Sequence, residues 1–271
     1  MRPAPRRPSP DAAPTFAEVI RDLDRIRAGC RKNGDRNGYF AAMYGRVTAA
    51  VEQRAQAGRF DDPARMEAFV ARFARRYTDA YRAHLIGRPV TRSWALAFDT
   101  AARSDPLVVQ HLALGMNAHI NLDLGVVAAE LASLAAEREA PSPSADTLHE
   151  DFVAINDVLA ELVDRCQAAV VAASPLLALA DDVLDTHDEN AAKFSLVVAR
   201  SGAWRFSQQL AAAPQAAWPG LIEERDAGVE RLGQRLLTRA GTAHTVQRLI
   251  RLGEWRAVEE VIDLLAAVDV T

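Results

Sequence analysis

The sequence predicts an all-α protein, a single bundle of about nine or ten helices around a buried central helix. Apolar residues recur with helical spacing along almost the whole chain. Alanine is abundant and β-branched clusters are short, while the two Asn-Gly pairs, at 33–34 and 37–38, lie between helical patterns. Because 49% of the 271 residues are hydrophobic, the chain can bury a sizeable core.

Boundary signals place the helices of the first half. Thr15 and Glu18 form a capping-box pattern. Pro63 is a favourable first helical residue, and Thr91 is a candidate N-cap. The helices predicted from these signals cover about 15–33, 39–57, 63–86, 91–103 and 106–139.

The second half begins with a linker at 140–146, which contains the sequence APSPSA (140–145). Further helices are predicted over about 147–173, 176–186 and 188–213, followed by a loop at 214–219. The C-terminal helices, within 219–271, are broken at Gly241 and Gly253. Residues 1–14 are basic and proline-rich without an apolar segment, so we expect a disordered tail before one helical domain over 15–271.

Composition narrows the class of protein. The net charge of −4 and the scattered basic residues argue against nucleic-acid binding. Cys30 and Cys166 lack a CxxC spacing and fit buried thiols in a reducing compartment. Since no uninterrupted apolar run reaches about 18 residues, we expect no membrane span. We therefore predict a cytoplasmic protein with a small-molecule ligand, and leave assembly into a homo-oligomer open.

The segment 107–129 (LVVQHLALGMNAHINLDLGVVAA) is the most informative part of the chain. It is apolar nearly all round, which is typical of a buried helix. Buried polar groups without partners cost about 1–3 kcal/mol each. Those in this segment are therefore expected to be satisfied by neighbours or to be functional: they are His111, Asn117, His119, Asn121 and Asp123.

Helical geometry divides these polar residues between two faces. With His111 as the origin, His119 and Asp123 lie about 80° and 120° round the helix, and Gly115 lies between them, opening space. Asn117 and Asn121 share the other face, where they could position substrate or tie helices together. We predict His111, His119 and Asp123 as catalytic residues.

The HxxxD pair, His119 and Asp123, allows two chemistries. Both side chains could bind one divalent metal ion, with Asp164 of the next helix completing the site. Alternatively, Asp123 could orient His119 as a general base. His111 lies two turns away, about 12 Å along the axis, and suits a second acid/base or substrate contact. The alternative is that all these groups only hydrogen-bond neighbouring helices.

Two residues outside the central helix are candidates for substrate binding. Arg200 could clamp an anionic group, or it could pair with a buried carboxylate. Trp94 belongs to a polar-aromatic set that could line a pocket or the core. A separate DDxxD pattern is formed by Asp181, Asp182 and Asp185, which could hold magnesium diphosphate or simply begin an acidic helix.

Several segments together resemble a family of helical domains of unknown function, found in bacteria and largely in actinobacteria. They are YFAAMYGRVTAAV (39–51), PVTRSWALAF (89–98), HLALGMNAHINLDLG (111–125), DFVAINDVLAELVD (151–164) and ARSGAWRF (199–206). The resemblance implies an all-helical domain and transfers no catalytic residue. The HxxxD pair is also similar to one element of the helical zinc phospholipase C and S1/P1 nuclease enzymes, whose other zinc motifs are missing here.

The leading functional hypothesis is a small-molecule enzyme with a buried His/Asp site. It would catalyse metal-dependent hydrolysis or acid/base chemistry on a partly apolar metabolite. The first alternative is a non-catalytic helical protein that binds a ligand or a partner. The second is an isoprenoid-diphosphate enzyme that uses the DDxxD motif.

Overall fold

The computed structural model describes residues 15–60, 62–137, 150, 153, 155, 162, 165–176, 189–237, 250–254 and 256–269. Every regular element in these ranges is helical, so the predicted all-α class is confirmed. The numbered α-helices are α1 Phe16–Asn33, α2 Asn37–Gln56, α3 Pro63–Leu85, α4 Arg92–Ala101, α5 Val108–Ala118, α6 Leu124–Glu137, α7 Glu189–Ala212, α8 Trp218–Leu237 and α9 Val258–Ala266. Residues 165–173 and 250–253 are helical as well. The predicted tail at 1–14 and linker at 140–146 lie outside the described residues.

The first and third helices begin where their sequence signals predict. The Thr15 hydroxyl accepts a hydrogen bond from the Glu18 N–H at 3.3 Å, and the Glu18 carboxylate accepts one from the Thr15 N–H at 2.9 Å. Helix α3 begins at Pro63, and the carboxylate of Asp62 caps it by accepting the Arg65 N–H at 2.9 Å. Local capping chemistry therefore accounts for both boundaries.

Two boundaries differ from their predictions. Thr91 precedes α4, yet its side chain makes no capping hydrogen bond. Asp226 of α8 caps α4 instead, since its carboxylate accepts the N–H groups of Arg92 and Ser93 at 2.6 and 3.0 Å. The prediction of a loop at 214–219 is wrong. This segment contains a 3-10 turn (Gln215–Ala217) and the start of α8, whose first turn tolerates Pro219.

The central helix consists of α5, a π-helical turn (His119–Asp123) and α6, and the other helices pack around it. Helices α2, α4 and α8 contact α5, α3 and α7 contact the turn and α6, and α8 also packs on α4. The larger core cluster joins α1 to α5 with α9, and a second cluster joins α6 to α7 and α8. At Gly125 a Cβ atom would lie 2.7 Å from the Ala203 carbonyl, so glycine permits the close approach of α6 and α7.

One helix in the described part of the chain, Val108–Leu134, is long and apolar enough to cross a membrane. However, 72% of its most apolar stretch is buried inside the protein. A core helix passes the same test of length and composition. The absence of a membrane span therefore stays a prediction.

Candidate functional site

A π-helical turn at His119–Asp123 interrupts the central helix. Its signature is the hydrogen bond from the Leu124 N–H to the carbonyl of His119, five residues earlier. Such turns are rare and often occur at functional sites. The turn carries His119 and Asp123, whose Nδ1 and Oδ2 atoms lie 3.1 Å apart. The structure thus brings together the HxxxD pair that the sequence singled out.

The carboxylate of Asp123 is held by three side chains. Its Oδ2 accepts the indole N–H of Trp94 at 2.9 Å as well as facing His119, and its Oδ1 accepts Nε–H of Arg76 at 3.1 Å. Asp123 is only 1% exposed. Trp94, predicted to contact substrate, therefore orients Asp123 in this structure. Arg76 is one of several arginines on α3, and no sequence signal distinguished it.

His119 lies in an aromatic cage. Its ring stacks on Phe73 with centroids 3.6 Å apart and an interplanar angle of 8°, and it meets Tyr44 edge-on at 4.6 Å. The other cage rings lie 5.8–6.4 Å from the imidazole. The complete cage consists of Phe40, Tyr44, Phe73, Tyr77 and Trp94. The aromatic content of α2 and α3 was visible in the sequence, but its convergence on His119 was not.

Several buried polar atoms around the central helix have no hydrogen-bond partner among the described residues. They are Nε2 of His119, Nε2 of His111, and the hydroxyl oxygens of Tyr44 and Tyr77. Each such atom costs about 1–3 kcal/mol. Three of them, on His119, Tyr44 and Tyr77, belong to the cage, and such atoms in a native structure indicate a ligand, an ordered water or a chemical role.

Burial controls the protonation of the cage. It lowers the pKa of His119, and the hydrogen bond to Asp123 opposes that shift less strongly. His119 is therefore neutral at neutral pH. Burial also raises the pKa of the Tyr44 and Tyr77 hydroxyls, so both remain protonated.

The space that Gly115 was expected to open is filled by Phe40. A Cβ atom on Gly115 would lie 2.5 Å from Cδ2 of that ring. His111 instead packs edge-on against Tyr39 at 5.8 Å and borders a cavity of about 20 Å³, enough for a single water molecule. Burial lowers the pKa of His111 to about 4. Phe40 could not be placed here from sequence because it comes from another helix.

The two asparagines connect the central helix to α8. The Asn121 amide donates to Oδ1 of Asn117 at 3.0 Å, and the Asn117 amide donates to the Val229 carbonyl at 2.8 Å. Asn117 thus fixes the register of neighbouring helices, whereas Asn121 also borders an open cleft.

Arg200 is buried on α7, where burial lowers its pKa to about 9. Its predicted contact with substrate stays a prediction.

The binding of a metal ion by His119 and Asp123 stays a prediction, and in this structure the two side chains face each other. Nδ1 of His119 faces the Asp123 carboxylate, and both carboxylate oxygens are already engaged, one by the cationic Arg76. In the described part of the chain, no group of three His, Cys, Asp or Glu residues could hold a metal. The third predicted ligand, Asp164, lies outside the described residues, as does the DDxxD segment at 181–185.

The fold and site define a class: an all-helical domain whose central helix carries a buried His–Asp pair inside an aromatic cage. Residues 16–239 match the model of a family described as a family of unknown function, DUF5995. The chain belongs to that family, which confirms the resemblance to a helical domain of unknown function. Neither the curated proteins nor the solved structures contain a significant match to the chain.

Proposed function

We propose that the protein is an enzyme that uses His119 as a general base on a small, partly apolar metabolite. One observation carries this proposal. Nδ1 of His119 is bound to Asp123, while its Nε2 is buried and has no partner among the described residues. A general base needs this division between its two nitrogens, because one is oriented while the other is left to accept a proton.

The surrounding side chains support this role. Trp94 and Arg76 fix the Asp123 carboxylate, which favours the tautomer with hydrogen on Nδ1 of His119. The lowered pKa keeps the imidazole neutral and able to accept a proton at pH 7. The protonated Tyr44 and Tyr77 hydroxyls are available to donate hydrogen bonds to a substrate oxygen. The chemistry that fits is hydrolysis or proton transfer without a bound metal.

Substrate entry requires the cage to open. His119 is 2% exposed. The small cavity lined by Phe40, Tyr77 and Trp94 of the cage holds no more than a water molecule, and His119 itself does not line it. Phe40 closes the side at Gly115, and Phe73 covers the imidazole face. We propose that these two rings move to admit substrate. His111, which borders the same small cavity, would then be the second acid/base or substrate contact.

The test is turnover by the full chain and its His119→Gln variant. A panel of short-acyl p-nitrophenyl esters and small metabolites is screened with the wild type. The variant is expected to lose activity by about 100-fold or more, because acid/base groups contribute on that scale. His84→Gln, at a half-buried histidine of α3, is the matched control and should retain activity. Unchanged turnover by folded His119→Gln protein would overturn the proposal.

A non-catalytic ligand-binding or partner-binding protein is the second candidate. The close filling of the cage by Phe40 and Phe73 favours it, because packed rings leave little room for substrate. In that case the polar network only fixes helix register. It predicts no turnover across the panel, together with a loss of stability in His119→Gln. For either candidate we propose a cytoplasmic location.

A further inference from the structure

An open cleft lies on the side of the π-turn opposite to the cage. It has a volume of about 560 Å³ and runs between α7 and α8. We call it the arginine cleft and define it by Arg205 and Phe206 of α7, Arg225 and Arg231 of α8, and Asn121 of the π-turn. Its size is within the range of small-molecule sites. Neither His119 nor Asp123 contributes to its lining.

The positive charge of the cleft is not compensated. None of its three arginines forms an ion pair with a carboxylate of the described residues, and Glu224 is the single acidic group in the lining. Arg205 donates to the Ser201 carbonyl at 3.4 Å. Burial and the charge of Arg205 both lower the pKa of Arg225. An anion in the cleft would relieve this repulsion.

Arg225 is held in a position suited to binding. Its Nε donates to the Asn121 carbonyl at 2.8 Å, and its guanidinium lies 5.4 Å from the centre of the Phe206 ring. The hydrogen bond uses Nε, which leaves the terminal nitrogens for a ligand. A guanidinium with two such nitrogens matches the oxygens of phosphate in a bidentate contact.

We infer that the arginine cleft binds a small organic phosphate. Three arginines and one glutamate give a net charge of +2, which matches a phosphate dianion. The apolar body of the ligand would lie on Leu221 and Leu232, which line the same cleft, while Phe206 is buried beneath Arg225. This binding site is independent of the chemistry proposed for His119, because the two lie on opposite sides of the π-turn.

The experiment is calorimetric titration of the full chain with phenyl phosphate, inorganic phosphate and benzoate. Phenyl phosphate is expected to bind most tightly, because it combines the dianion with an apolar ring. Arg205→Gln and Arg231→Gln should each weaken its binding at least tenfold, and added salt should weaken it further. Arg21→Gln, at an exposed residue of α1, is the matched control.

Three results would overturn the inference. They are no binding of phenyl phosphate at millimolar concentration, equal affinity for benzoate, and undiminished affinity in both arginine variants. Arg225→Gln is left as a supplementary variant because Arg225 also contacts the Asn121 carbonyl. The titration does not depend on activity, so its outcome is separate from that of the His119 test.

Discussion

The cage and the arginine cleft lie on two sides of the same five-residue turn. They differ in whether their charged groups are buried and paired or exposed and unpaired. In the cage, the Asp123 carboxylate is buried and engaged by three side chains. In the cleft, Arg205 and Arg231 are exposed and have no carboxylate partner among the described residues. Buried groups that are fully engaged contribute to folding, whereas exposed unpaired charges remain available to a ligand. The comparison assigns stability mainly to the cage and ligand affinity mainly to the cleft.

The largest expected effect follows from Asp123→Ala. The substitution leaves the Trp94 indole N–H, Nδ1 of His119 and the Arg76 guanidinium without their shared acceptor. Breaking a buried charge pair costs about 3–5 kcal/mol, so the free energy of unfolding in urea should fall by about that amount.

Asp263→Asn is the control for Asp123→Ala. It breaks an ion pair with Arg31 in which both side chains are 48% exposed, and it should cost less than about 1 kcal/mol. Similar losses in the two variants would contradict the view that the cage is the stabilising side.

Gly115→Ala tests whether the cage is as tightly filled as the structure shows. The new Cβ atom would meet the Phe40 ring at 2.5 Å, and overpacking of this kind costs about 1–3 kcal/mol. Gly29→Ala, in α1, meets nothing within 4 Å and should be neutral or stabilising by up to about 1 kcal/mol. Urea unfolding distinguishes the two, and a stabilised Gly115→Ala variant would mean that the cage is looser.

A smaller effect is expected from pH at His111. Its pKa in the folded protein is about 4, below the unperturbed 6.5, because of burial. As pH falls, His111 therefore binds a proton in the unfolded chain at a higher pH than in the folded protein. The free energy of unfolding consequently decreases between pH 6.5 and pH 4. Between pH 6.5 and 5.5 the wild type should lose about 1 kcal/mol more than His111→Asn. Parallel pH profiles of unfolding would show that His111 is not buried as a neutral group.

The smallest effect on stability is expected in the cleft. Arg205→Gln and Arg231→Gln alter exposed residues without carboxylate partners, so each should change the free energy of unfolding by less than about 0.5 kcal/mol. The same variants are the ones expected to weaken phenyl phosphate binding. A large loss of stability in either arginine variant would contradict the view that the cage, and not the cleft, stabilises the fold.

Sequence reasoning succeeded where the cause is local. The capping box at Thr15 and Pro63 at the start of α3 act within one helical turn, so their boundaries were predictable. The HxxxD pair was also predictable, because His119 and Asp123 belong to one helix. Asp226 capping α4 was not, since its carboxylate comes from a helix more than 130 residues further along.

The cage illustrates the same limit more sharply. Phe40 and Arg76 reach the central helix from α2 and α3, and nothing in their local sequence marks them. The π-turn has no proline or glycine within it, so the segment reads as a regular α-helix. Its geometry depends on tertiary contacts of both His119 and Asp123, which periodicity alone does not contain.

The π-turn also determines how α6 is rotated about the helix axis relative to α5. Its bond spans five residues instead of four, so it inserts one residue, equivalent to about 100° of rotation, between α5 and α6. Deleting one residue such as Ile120 would restore a continuous α-helix and rotate the faces of α6 relative to α5. Gly125 would then no longer face the Ala203 carbonyl at the contact that only glycine permits. The length of this segment is consequently as strict a requirement as the identity of its side chains.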